Sequence, residues 1–169
     1  METTVKLYSL SYKDVKTYMF AALFIIGNIA LPQLCHLIPG GGLTWLPIYF
    51  FTLIAAYKYG FRVGLLTAIL SPLVNYLLFD MPALGALPAI IAKSAILAGA
   101  AAYLAHRFDK VSILAIIGAV LAYQVAGTLV EFAIEKDFFV AIQDFRIGIP
   151  GMLVQVFGGY ALLKAIAKI

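Results

Sequence analysis

Six polar side chains sit inside stretches otherwise built of Leu, Ile, Val, Ala and Phe: Asn28, Asn75, Lys93, Gln124, Glu131 and Gln155. The chemistry they offer is that of binding rather than bond breaking. Lys93 brings an ammonium group, Glu131 a carboxylate, and the four amides bring both donors and acceptors. Lys93 lies inside "LPAIIAKSAILAGAAAYLAHR", well before the basic end at His106 and Arg107. A lone charge in an apolar segment is expensive, so Lys93 needs a partner. Two partners are open to it: Glu131, giving a structural ion pair, or an anionic or carbonyl-bearing ligand. Asn28, Gln124 and Gln155 likewise either hydrogen-bond across helices as packing contacts or touch a ligand.

Other candidates are peripheral. Trp45 and Tyr49 begin the second apolar segment, where aromatic residues form the usual interfacial belt or cap a ligand. Arg146 starts the last segment as a solvated loop charge or a ligand contact. Cys35 and His36 adjoin each other and can ligate a metal such as the cobalt of a corrinoid. Two adjacent residues fall short of a metal site, which needs more ligands at defined spacing. No Ser/His/Asp set, no buried carboxylate pair and no Walker motif is evident. The expectation is therefore a non-enzyme with no ATP site of its own, and no cofactor is called for.

The elements that must position these residues follow from composition. Of 169 residues, 64% are hydrophobic and 12% are charged. A soluble domain is nearer half apolar and a quarter charged. The chain lacks the polar side chains to cover a water-facing surface, which points to a polytopic membrane protein, residues 1–169 forming one domain. The net charge of +4 reads as membrane anchoring charge and not as a nucleic-acid surface. A single cysteine excludes an internal disulfide. The first 20 residues show no small-residue cleavage site after a short apolar core, so the first hydrophobic segment is expected to stay as a helix.

Six hydrophobic segments are expected as helices: 15–37, 43–58, 62–79, 85–107, 111–132 and 147–166. Gly and Pro punctuate the joins, as in "PGGG" (39–42), "DMPALG" (80–85) and "GIPG" (148–151). The second segment is short for a span, so it is tilted or stops below the surface. With six spans, Lys6, Lys13, Lys16, Lys58, Arg62, Arg107, Lys110, Lys164 and Lys168 fall on one side. That side is then cytoplasmic, with both termini inside. The other face carries the Gly-rich loop and the longer "AIEKDFFVAIQDFRIG" stretch, and is expected to do the binding. Counting ~1.5 Å of rise per residue, Asn28, Lys93, Gln124 and Gln155 lie roughly 10–13 Å below the outer helix ends. Asn75 and Glu131 lie nearer the surface. Six polar groups at related depth suggest the lining of one pocket.

The stretch from "GGLTWLPIYFFTLIAAYKYGFRVGLLTAILSPLVNYLLF" to "LAHR" resembles the S components of energy-coupling factor (ECF) transporters, small six-helix proteins that capture vitamins and related micronutrients. The likeness lies in the Gly/Pro outer loop, the hairpin of the second and third segments, and the length and topology of the chain. The resemblance implies an outward pocket formed mainly by helices 4–6 and the outer loops. It places Lys93, Gln124, Glu131 and Gln155 in pocket helices, with Asn75 and Trp45 near the closing loops. It also implies a transmembrane coupling protein and two cytoplasmic ABC ATPases as partners, in the inner membrane of a prokaryote. Helix 1 has Ile25 and Ile26 four residues after Ala21 and Ala22, where many S components repeat alanine to pack on the coupling protein. A solitary facilitator or channel, and a structural membrane subunit, are the competing expectations.

Overall fold

Asp14 opens the first helix in extended backbone, and its Oδ2 accepts from the Ser11 amide at 2.9 Å. The computed structural model describes residues 6–167 and 169, and Lys168, counted among the basic residues above, lies outside them. Helix α1 runs over Val15–His36. A short α2 (Gly41–Trp45) follows the glycine loop, then a 3-10 turn (Pro47–Tyr49) and α3 (Phe50–Tyr59). Next come α4 (Phe61–Phe79), α5 (Leu87–Phe108) and α6 (Ile113–Glu135). Two short helices, α7 (Phe138–Ala141) and α8 (Gln143–Ile147), lead into α9 (Ile149–Leu153). A π-helical stretch (Val154–Gly158) then joins α9 to α10 (Gly159–Ala165). All regular structure among the described residues is helical.

Four helices, α1, α4, α5 and α6, are long and apolar enough to cross a membrane. Their outer faces carry large apolar side chains such as Leu23, Leu77, Leu114 and Leu129, while Asn28, Thr67, Ser71, Lys93 and Gln124 are buried. Apolar outside and polar inside is the arrangement that lipid as solvent favours. These features fit a multi-pass membrane protein.

The second and sixth expected segments differ from the expectation. The helix expected over 43–58 is broken at Leu46, whose φ of 45° is left-handed, and Pro47 restarts the chain. What remains is the ten-residue α3, with residues 52–59 all buried. A helix apolar on every face belongs at the centre of a fold, and α3 packs on α1, α4, α5 and α10. The segment expected over 147–166 begins two residues later, as a shorter apolar helix over Ile149–Ala165.

Contacts gather the basic turns at one end of the bundle. The Tyr8 amide donates to Lys58 O at 2.8 Å, and the Lys58 ammonium to Ile166 O. The Tyr57 hydroxyl donates to Lys110 O at 2.8 Å and accepts from the Ser112 amide at 3.1 Å. The N-terminal segment, the α3–α4 turn, the α5–α6 turn and the C-terminus therefore meet. Gly60 makes that α3–α4 turn in a single residue, at a φ of 97° that side chains disfavour. The glycine loop, α2, the 80–86 loop, α7 and α8 lie at the opposite end.

Candidate functional site

Lys93 leaves α5 towards α6, and α6 makes room for it. A Cβ on Gly127 would lie 2.5 Å from Lys93 Cγ and 3.3 Å from Cδ and Cε. The bare backbone at Gly127 is thus the slot along which the lysine stem runs. At its end the ammonium donates to Asp144 Oδ2 at 2.9 Å and pairs with Glu131 Oε2. Lys93 is 2% exposed, and both carboxylates are buried. Glu131 belongs to the long α6, whereas Asp144 comes from the five-residue α8. Asp144 reaches inward because α7 and α8 fold back over the bundle. Asp137 caps α7 by accepting from the Phe139 and Val140 amides at 2.8 and 3.3 Å. Ala141 and Asp144 then turn inward, and Phe138, Phe139 and Arg146 turn out.

Beside this cluster lies a second polar group. The Tyr123 hydroxyl donates to Gln155 Oε1 at 2.9 Å and accepts from Gln124 Nε2 at 2.9 Å. Gln155 Nε2 donates to Leu46 O at 3.3 Å, which ties the π-helical stretch to the break after α2. Such stretches recur where a helix must redirect a functional side chain. The Tyr49 and Tyr123 rings lie 5.0 Å apart, and both hydroxyls are close enough to Asp144 to feel its charge. The two groups therefore form one closed polar chamber, buried and packed with its own side chains, between α5, α6 and the 154–158 stretch. Helix α2 packs against α8 and α9 above it. Apart from Glu131 Oε2, which the Lys93 ammonium meets, three buried side-chain oxygens in this part of α5 and α6 have no protein hydrogen-bond partner: Ser94 Oγ, Gln124 Oε1 and Thr128 Oγ1. Each such group costs on the order of 1–3 kcal/mol.

Asn28 and Asn75 form a separate network. Asn28 Nδ2 donates to Thr52 Oγ1 at 3.1 Å and Ser71 Oγ at 3.3 Å, and its Oδ1 accepts from the Phe51 amide at 3.1 Å. Asn75 Nδ2 donates to Asn28 O and Ser71 O at 2.9 and 3.0 Å. This network knits α1, α3 and α4 together. Depth alone had grouped these residues with Lys93, but their bonds face the other side of α3.

Asn75 also lines an open cavity of about 390 Å³ bounded by Gln33, His36, the 38–43 loop and Met81–Ala83. Its size suits a small molecule, but its polar side chains are largely engaged. Asn75 Nδ2 is used as described, its Oδ1 accepts from Gln33 Nε2 at 3.5 Å, and His36 Nδ1 lies 2.7 Å from Pro32 O. The chamber, not this cavity, carries the buried charges and the unpartnered oxygens, and so has the stronger claim to a ligand.

Of the remaining expected residues, Trp45 is partly exposed on α2, with its backbone carbonyl against Gly151. Arg146 is exposed on α8 and stacks over the Phe139 ring at 5.9 Å. Cys35 and His36 end α1, and among the described residues no group of three His, Cys, Asp or Glu side chains assembles that could hold a metal. Sequence reasoning misses Asp144 and Tyr123, and offers Tyr49 only as an interfacial aromatic or a ligand cap. The one available signal for Asp144 is the spacing Ala141-x-x-Asp144, one inward-facing turn in an amphipathic stretch.

Compared with family models, curated proteins and solved structures, the chain matches none.

Proposed function

We propose that this chain is a membrane-embedded capture subunit of the ECF S-component kind, taking up a vitamin-like micronutrient from the side opposite its basic turns. In this reading the bundle spans the inner membrane of a prokaryote with its basic end, and both termini, in the cytoplasm. The other side of the membrane faces α2, α7 and α8. The observation that carries the reading is the polar chamber under those short caps. Buried carboxylates, tyrosines and amides converge there beside oxygens that no protein group satisfies. A purely structural core would be expected to close such bonds. The caps are short, separate helices seated on the chamber, the kind of element that can lift without unfolding the bundle.

The reading has a transmembrane coupling protein and two cytoplasmic ATPases driving release. The chain itself supplies recognition. Native mass spectrometry of the full chain, released from its own membranes, tests this directly. A retained small molecule that Tyr123→Phe or Gln155→Leu weakens supports capture. An empty protein that is equally empty after incubation with a small-molecule extract sinks it. Substrate uptake by vesicles holding the chain alone would instead mark a solitary facilitator.

A further inference from the structure

We infer that the chamber takes a ligand with a positive charge, an organic cation and not an acid. This rests on the capture reading above and names its substrate class. The first ground is charge. Lys93 contributes one positive charge, and Glu131 and Asp144 contribute two negative ones, all three buried against each other. The cluster carries a formal surplus of one negative charge. Glu135, one turn further along α6, is exposed, as are Lys136 and Arg146, so none of the three belongs to the buried cluster. A buried surplus of this kind attracts a cation and repels a carboxylate.

The second ground is hydrogen bonding. Gln124 is fully buried, and its Oε1 has no protein partner. Gln124, Thr128 and Glu131 share the face of α6 that also holds Gly127, where Lys93 lies. That wall presents acceptors, which suit the N–H donors of a protonated amine or a cationic heterocycle. The third ground is aromatic. Tyr49 and Tyr123 are buried against each other with ring centroids 5.0 Å apart, and π-systems bordering a site favour a cation over an anion. An acid entering the chamber would find the Ser94 and Thr128 hydroxyls as neutral donors, and as its one buried cation Lys93, whose ammonium already serves two carboxylates.

Benzylammonium, benzyl alcohol and benzoate share one ring and differ in charge, so they isolate this property. Each is titrated against the full chain in lipid nanodiscs at neutral pH, with thermal unfolding as the readout. Benzylammonium is expected to bind at least tenfold more tightly than the other two, about 1.4 kcal/mol. Asp144→Asn and Glu131→Gln, made separately so that one misfolded variant leaves the other, should each cut that advantage below about threefold, roughly 0.65 kcal/mol. Equal binding of the three, the result if a proton already balances the cluster, overturns the cation class and leaves capture standing. So does a preference for benzoate. No shift with any probe also overturns the cation class, and together with an empty protein in native mass spectrometry it overturns capture as well.

Discussion

Gly127→Ala is a one-carbon probe of the ion cluster. The added Cβ would sit 2.5 Å from Lys93 Cγ, where ordinary carbon contacts are about 3.5–4.0 Å. The lysine stem must therefore retreat by roughly 1 Å or more. A retreat of that size takes the ammonium from 2.9 Å to nearly 4 Å from Asp144 Oδ2, outside hydrogen-bond range. Overpacking alone costs about 1–3 kcal/mol. Breaking a buried pair outright costs about 3–5 kcal/mol. The expected loss is about 2–4 kcal/mol, read as a fall in unfolding free energy in nanodiscs. The control is the same substitution in a chain carrying Lys93→Ala, Glu131→Gln and Asp144→Asn, which leaves no buried charge uncompensated. The three atoms nearest the new Cβ all belong to the Lys93 side chain, so the clash disappears with it. In that background alanine should be neutral or should stabilise α6 by up to about 1 kcal/mol, its helix-propensity gain over glycine. An equal cost in both backgrounds would show that Gly127 serves helix packing and not the lysine, and would refute the slot.

Three further outcomes follow from the same geometry. Asp144→Asn should loosen α7 and α8, seen as faster hydrogen exchange over 138–147 with α6 unchanged; protection equal to the parent would deny Asp144 a tethering role. Tyr123→Phe removes the hydroxyl that links Gln124 to Gln155 and should lower unfolding free energy by about 1–3 kcal/mol; an unchanged unfolding curve would contradict the relay. Asn28→Leu, which strips the amide joining α1, α3 and α4, should cost stability of the same order, about 1–3 kcal/mol. It should leave benzylammonium affinity within about twofold, roughly 0.4 kcal/mol, and a larger drop would place Asn28 in the chamber after all.

The four long helices were legible because runs such as "ILAIIGAVLAYQVAGTLV" are too apolar for any other solvent. Their observed ends lie within three residues of those expected. The α2–α3 break was not legible. Leu46 adopts a left-handed conformation that its residue type disfavours, and the fold imposes it through Gly151 and Gln155 more than a hundred positions away. Depth along a helix could be counted from residue rise, but azimuth could not. Asn28 and Lys93 share a depth and face different neighbours because the buried α3 divides them. Asp144 was hidden for a related reason. In "AIEKDFFVAIQDFRIG" the charges recur often enough to read as a solvated loop, and only the folding back of α8 makes one of them internal.

The two carboxylates that share Lys93 are not equivalent, and the difference gives the cation reading a direction. Glu131 stands on a 23-residue helix packed along most of α5, so moving it means moving the bundle. Asp144 stands on five residues between a capped four-residue helix and Gly148, and can move with them. A cation arriving at the cluster can be accommodated at least distortion if Asp144 turns from Lys93 to the newcomer while Glu131 keeps the lysine paired. The surplus charge is then neutralised, and α8 is drawn onto the ligand instead of onto Lys93. Because α2 packs on α8 and α9, the same movement reaches the glycine loop. Closure of the caps and recognition of charge would thus be a single event. On that account Asp144→Asn should speed ligand release and lower cap protection together, since the carboxylate that draws α8 onto the ligand is gone. Stopped-flow release of benzylammonium, measured beside hydrogen exchange on the same samples, tests the coupling; release rates that change while cap protection stays constant would break it.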